Sequence, residues 1–367
     1  MAPTGQNHMK KNSCLTLPFP ARWVLLAAAV ALAGCDSRAT GAAAPSAEVQ
    51  ARVEALAQRS KQRLSHVPAG GFWLGDPGPL MTEELKATGA VLGPEAQLTG
   101  NPPYTRDEDN KPPRWVTLDA YSIQQLKVTY GDFDVYVAAN ALPPHPPQGD
   151  EPVSNRGWRR SRTSDETPAG VTWVQAQAYC AWLGKVTGLP FALPTEAQWE
   201  YAASNGRKTH YEPAPTDNGI LEEGRNHPNF EQKEEMRRGG DYLYPVGRFP
   251  PSKLKLHDMV GNGYEWTQDW YAPDTYQTLQ QTHNPAGPAS GVQKVLRGSP
   301  PNESMIRGFV LTERTARLPE GETFRGRKVA YSYESFRCVV NQPTPLPGTY
   351  VDGPGPVVHP LRDRPKP

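Results

Sequence analysis

Turn-forming residues interrupt this chain along most of its length. The stretches Pro68-Ala-Gly-Gly71, Asp76-Pro-Gly-Pro79, Asn101-Pro-Pro103, Pro143-Pro-His-Pro-Pro147 and Arg238-Gly-Gly-Asp241 fix or free the backbone where a helix or strand would have to continue. Regular elements must therefore be short, and an irregular α+β fold is expected. Prolines (40) and glycines (33) form about a fifth of the 367 residues, below the roughly 25–30% that marks low-complexity chains. A packed core is thus within reach. Nine Trp and 15 Tyr against four Cys point to large aromatic anchors, each able to bury roughly 150–250 Å², rather than to a disulfide scaffold.

Three segments carry helix signals. Thr129 is an N-cap candidate before residues 130–139, Thr195 before 196–203, and 174–187 ends at Gly188-Leu-Pro190, where the chain can turn and cannot continue as helix. Residues 48–64 hold good helix formers with an apolar stripe of Val53, Leu56, Ala57 and Leu64, which predicts a short stalk helix. No internal repeat is present.

The N-terminus reads as an address. Lys10-Lys11 and Arg22 precede an apolar run from Trp23 to Gly34 that stops at Cys35. The run is too short to span a bilayer, which takes about 20 apolar residues, and has the flanks of a secretory signal. Residues 36–47 are small and polar, a flexible spacer. Eight prolines among residues 342–367 predict an extended tail. The expected organisation is 1–34 signal, 35–65 lipidated cysteine, spacer and stalk, 66–341 body, and 342–367 tail. The mean hydropathy of −0.64 excludes a bundle of membrane helices. A net charge of +1 leaves no overall field to gather nucleic acid, so no nucleic-acid partner is expected.

Two resemblances sharpen this reading. Leu32-Ala-Gly-Cys35 resembles the lipobox of bacterial lipoproteins, which implies acylation of Cys35 and a cell-envelope protein on the periplasmic side of a Gram-negative membrane. Asp36 resembles an inner-membrane retention signal. Along the body, eight blocks occur in order: Val67-Pro-Ala-Gly-Gly-Phe-Trp-Leu-Gly75, Tyr121-Ser-Ile with Lys127-Val-Thr129, Gly170-Val-Thr-Trp173, Ala178-Tyr-Cys-Ala-Trp-Leu-Gly184, Leu193-Pro-Thr-Glu-Ala-Gln-Trp-Glu-Tyr-Ala-Ala203, Asp258-Met-Val-Gly-Asn-Gly-Tyr-Glu-Trp-Thr-Gln-Asp-Trp270, Val295-Leu-Arg-Gly-Ser299 and Phe336-Arg-Cys338. Together they resemble the formylglycine-generating enzyme, or sulfatase-modifying factor, family. The resemblance implies one α+β domain, a C-type-lectin-like variant with little regular secondary structure. It also implies that Cys180 and Cys338 are the halves of a structural disulfide.

The family's enzymes oxidise a sulfatase cysteine with two thiols that hold copper(I), a metal that selects soft thiolates. Here the matching stretch after Arg297 contains no cysteine, and none occurs from residue 181 to 337. No copper is therefore expected. Some relatives use non-haem iron, but the eight histidines form no His-x3-His pair or facial-triad spacing. Ser299 falls near the family's substrate-binding serine without a paired base, and Pro300-Pro301 after it removes two amide donors. Ser299, Asn302 and Trp266 are expected to line the cleft.

An oxygen-rich loop remains. The carboxylates of Asp258 and Glu265, with glycines at 261 and 263 that can turn their carbonyls inward, suit a hard cation. The family resemblance implies a structural calcium held by Asp258, Gly261, Gly263 and Glu265, and a second near Asn229 and Asp241. Glu196 and Glu200, one helical turn apart, read as solvated faces or partners of the helix dipole rather than catalytic groups. Arg156, Arg159, Arg160 and Arg162 around Trp158 read as a solvated basic loop. Two functions follow: a non-catalytic, membrane-tethered module holding an extracytoplasmic protein or peptide, for which the family offers type VI secretion regulators as precedent, and an enzyme of altered chemistry acting on an exported peptide or small molecule. The missing thiols favour the first.

Overall fold

The computed structural model describes residues 45–76, 107–145, 162, 164–207, 216–217, 222–239, 243–259, 261–299, 311–324, 327–329 and 333–351, all within one compact unit. Cys35, Arg156, Arg159, Arg160, Asp241 and Asn302 lie outside them. The predicted helices form where their caps fall. They are α1 (Ala47–Gln62), α2 (Tyr130–Ala139), α3 (Trp173–Thr187) and α4 (Glu196–Ala203). Thr129 Oγ1 accepts from the Asp132 N–H at the start of α2. Thr172 with Gln175, and Thr195 with Gln198, make reciprocal capping boxes on α3 and α4, each satisfying otherwise orphaned amides. Gly188 ends α3 at φ 71°, a left-handed cap that glycine adopts without Cβ strain.

The strands are short. A five-stranded sheet has the order β13-β1-β4-β12-β5, built from β1 (Leu64–Val67), β4 (Tyr121–Gln124), β5 (Phe191–Ala192), β12 (Val339–Val340) and β13 (Tyr350–Val351). Every residue of β1 and β4 is buried, because both faces of this sheet are covered. Side chains alternate across a strand, so the adjacent Val339 and Val340 enter different apolar clusters. One cluster gathers Phe133, Tyr136, Tyr179, Trp182 and Phe336 under α1, α2 and α3. The other gathers Phe72, Tyr121, Trp199, Tyr201 and Tyr276. A four-stranded sheet, β11-β6-β7-β8, is formed by β6 (Gly263–Trp270), β7 (Lys294–Ser299), β8 (Thr315–Arg317) and β11 (Glu334–Ser335). Two antiparallel pairs complete the strands, β2 (Gly70–Leu74) with β3 (Arg114–Leu118) and β9 (Glu322–Phe324) with β10 (Arg327–Val329).

Two expected boundaries are corrected. The helix predicted as a stalk is part of the body: Leu56 is buried in the first cluster, and Arg59 pairs with Asp132 of α2 at 2.5 Å. Its apolar stripe found a partner, which a free stalk would lack. The chain after residue 341 likewise returns to the sheet, where β13 pairs in parallel with β1 and Leu346 packs on the core. Among the described residues, no helix is long and apolar enough to cross a membrane.

Candidate functional site

The fold brings the family blocks together around two buried groups of charge. The first is built on the loop between residues 258 and 265. Gly261, Asn262 and Gly263 have φ of 89°, 53° and 93°, three successive left-handed residues that turn their carbonyls to one side. At Gly263 a Cβ would stand 2.6 Å from the Tyr333 carbonyl, so only glycine fits. Asn262 is pinned by reciprocal bonds of 3.0 Å with the Tyr244 backbone.

The three carbonyls converge on Lys127 from the β4–α2 connection. Its ammonium donates to Gly261 O at 3.1 Å, to Asn262 O at 3.2 Å and to Gly263 O, and lies 3.7 Å from a Glu265 oxygen. Glu265, at the heart of β6, also accepts from Arg337 Nε at 2.7 Å, Arg337 Nη2 at 2.8 Å and Trp199 Nε1 at 3.1 Å. The side chains of Lys127, Glu265 and Arg337 are fully buried. Burial pulls the Lys127 ammonium down to about 8 against the opposing pull of Glu265. Burial pushes the Glu265 carboxyl up, but Arg337 and Lys127 outweigh it and hold the group below its ordinary range.

This geometry tests the expected calcium set. Gly261, Gly263 and Glu265 are brought together as predicted, yet all three face a side-chain ammonium. Asp258 instead accepts from the Gly247 N–H at 2.9 Å. Calcium needs six to eight oxygens at about 2.3–2.6 Å, and the centre of this set is already filled. The residues do not fit the metal. At the second expected site, Asn229 Oδ1 accepts from the Gln232 N–H at 2.9 Å, capping helix α5 (Phe230–Gly239). Among the described residues, no cluster of three or more His, Cys, Asp or Glu could hold a metal ion.

The second group joins α4 to β7. Glu196 and Glu200 are not solvated: both are buried. Arg297 donates to Glu196 at 2.8 Å and to Glu200 at 2.7 Å, while Arg314 donates to Glu196 at 2.7 Å. Their partners lie about a hundred residues away, so helix periodicity alone left them on the surface. Asp269 of β6 accepts from the Glu196 N–H at 2.8 Å. Burial first, then the Glu196 charge, pushes its carboxyl up to about 7. Next to it, Lys294 lies between Trp173 and Trp270, 4.0 and 3.6 Å from the ring centres.

The expected cleft residues are also corrected. Trp266 is sealed in the core, donating from Nε1 to Val171 O at 2.9 Å. Ser299 is buried, and its hydroxyl accepts from the Gly261 N–H at 3.0 Å. It ties β7 to the 258–265 loop. Both were placed by family position, which says nothing of depth. Among the described residues, two hollows lie elsewhere. An open groove of about 700 Å³ is lined by Asp107, Glu108, Asp109, Tyr271, Asp274 and Arg314 among others. A smaller one of about 250 Å³ lies between Arg59, Lys127, Asp132 and Glu166. Of the basic cluster, Arg162 is described, and it pairs with Asp134 at 2.5 Å and Asp165 at 2.9 Å. Cys180 and Cys338 are joined by a disulfide with Cα atoms 5.8 Å apart. It closes a loop of 158 residues, which the chain-entropy account values at about 5 kcal/mol.

Lys127, Arg314 and Arg337 were not singled out from the sequence. The signal for two of them was there: Lys127 stands between Leu126 and Val128, and Arg337 between Phe336 and Cys338. A cation inside an apolar block needs a buried partner.

With this geometry in place, the comparisons settle the class. The family model for the sulfatase-modifying factor enzyme 1-like domain matches residues 51–339, and the chain belongs to that family. The match begins inside α1, in keeping with that helix being part of the body. The formylglycine-generating enzyme of Mus musculus is 28% identical over 236 residues, covering 53% of this chain and 61% of the relative. This chain therefore spans about six tenths of the length of such relatives. The protein named inactive C-alpha-formylglycine-generating enzyme 2, also of Mus musculus, is 34% identical over 139 residues, 34% of this chain and 41% of its own. The structure of PvdO from Pseudomonas aeruginosa shares the fold, with a TM-score of 0.53 at 22% identity, covering 76% of this chain and 93% of that one.

Proposed function

We propose that this chain is a membrane-anchored, non-catalytic member of the family that holds an extracytoplasmic protein or peptide, in an accessory role to a secretion system such as type VI. One observation carries the reading. A copper(I) oxidase of this kind needs two neighbouring free thiols. No cysteine lies between residues 181 and 337, and Cys180 and Cys338 are consumed by their disulfide. The buried Ser299, whose hydroxyl is engaged by Gly261, offers no substitute nucleophile. A relative that carries the word inactive in its name supports the loss of activity as a course the family takes. Lipidation of Cys35 supplies the anchor, on the periplasmic side of the inner membrane.

The test has two arms. Purified protein is incubated with copper(I), dioxygen and a cysteine-containing sulfatase-type peptide, and the peptide is analysed by mass spectrometry after hydrazide labelling. No aldehyde is expected; aldehyde formation or turnover-linked dioxygen uptake overturns the non-catalytic reading. In the second arm, a Cys35→Ala variant moves from the membrane fraction to the soluble periplasm. Equal membrane retention of both forms overturns the lipid anchor.

A further inference from the structure

The oxygens of the 258–265 loop form a cage for one cation, and the chain supplies that cation itself. We propose that the Lys127 ammonium is the resident cation of this loop, standing where a divalent metal would stand and making the domain independent of calcium. Stoichiometry is the first support. An ammonium has three N–H donors and no acceptor, and Lys127 meets three carbonyls, those of Gly261, Asn262 and Gly263. No donor is left over.

Charge is the second. Glu265 lies 3.7 Å from the ammonium and is held from its other side by Arg337. The cage already contains two positive charges for one fully buried carboxylate. Adding a doubly charged ion would place four positive charges against Glu265 and the neighbouring Asp258, whose charge already acts on Lys127 while one of its oxygens accepts from the Gly247 amide. Backbone shape is the third. Three successive residues at positive φ, two glycines and an asparagine that tolerates this region, present their carbonyls to one focus, and the Lys127 ammonium binds all three. Lys127 reaches that focus from a segment 134 residues away in the chain. It therefore also staples the β4–α2 connection to β6.

Thermal unfolding of the intact protein with calcium or with EGTA, paired with calorimetric titration, tests this directly. The wild-type Tm is expected to be unmoved by either reagent, with no heat of calcium binding up to millimolar concentration. Stoichiometric calcium uptake by the wild type, or a Tm that falls in EGTA, overturns the proposal. Lys127→Ser empties the cage while keeping the loop sequence. Its Tm is expected to fall by several degrees and to be restored in part by calcium and less by magnesium, the smaller and more rigidly octahedral ion. A folded Lys127→Ser protein whose Tm ignores calcium overturns the reading of the loop as a cation cage. The wild-type titration decides the matter should the variant not fold.

Discussion

The two buried charge groups solve opposite problems. Around Glu265 there is one carboxylate for two cations, Lys127 and Arg337, and the surplus positive charge is absorbed by backbone carbonyls. Around Arg297 and Arg314 the carboxylates outnumber the guanidiniums: Glu196 and Glu200 take the close ion pairs, Asp109 stands 3.9 Å from Arg314, and Asp269, beside Lys294, has its carboxyl pushed up to about 7 by burial and the Glu196 charge. A backbone carbonyl cannot titrate, whereas a carboxyl can. The first group is therefore indifferent to mild acid, and the second carries a proton-sensitive member.

The largest effect is expected where the surplus cannot be neutralised. Glu265→Gln removes the carboxylate between Lys127 and Arg337 and leaves the buried Arg337 guanidinium without its ion-pair partner. Removing one partner of a buried pair costs roughly 3–5 kcal/mol, and this variant should lie at the upper end. Chemical denaturation read by tryptophan fluorescence measures it, since Trp199 donates to the same carboxylate. A loss below about 1 kcal/mol, the scale of an exposed pair, would show that the group is solvated.

Arg297→Met should be destabilising to a lesser degree. It leaves Glu200 without its guanidinium, while Glu196 keeps Arg314. The variant's unfolding free energy from chemical denaturation should fall by about 3 kcal/mol, the lower end of the range for a broken buried pair. Equal losses in the two variants would erase the distinction between the groups.

What could be read from the sequence follows the same divide between local and distant causes. The helices at 130–139 and 196–203 were legible because Thr129, Thr195 and Gln198 act within one turn. The eight blocks carried the family and the Cys180–Cys338 pairing that the structure contains. The burial of Glu196 and Glu200 was not legible, since it depends on Arg297 and Arg314 arriving from 97 to 118 residues away. The return of Tyr350 to Ser65 was hidden for a similar reason: a two-residue strand has no period to detect. The expected calcium set shared Gly261, Gly263 and Glu265 with the group that gathers around Lys127, but not Asp258, which turns to the Gly247 amide. Spacing within 258–265 shows which carbonyls face inward, but only the tertiary fold shows that Lys127 faces them.

The one expected gain, and the sharpest discriminator, belongs to Asp269. Its folded carboxyl titrates at about 7 against an ordinary 3.8. Between those values the folded protein keeps a proton that the unfolded chain has released. Stability from this group is therefore complete below about pH 4 and is lost as pH rises toward 7, with a slope of at most about 1.4 kcal/mol per pH unit. Asp269→Asn cannot titrate, yet its amide oxygen can still accept from the Glu196 N–H, as Asp269 does at 2.8 Å. The variant should be the more stable of the two at pH 7.5, by a margin that shrinks as pH falls toward 4, and its stability should be flatter between pH 4 and 7. Denaturation midpoints across that range give the slope for each protein. Identical slopes would mean that Asp269 is ionised in the fold, and that the group on α4 and β7 meets its surplus charge without a proton.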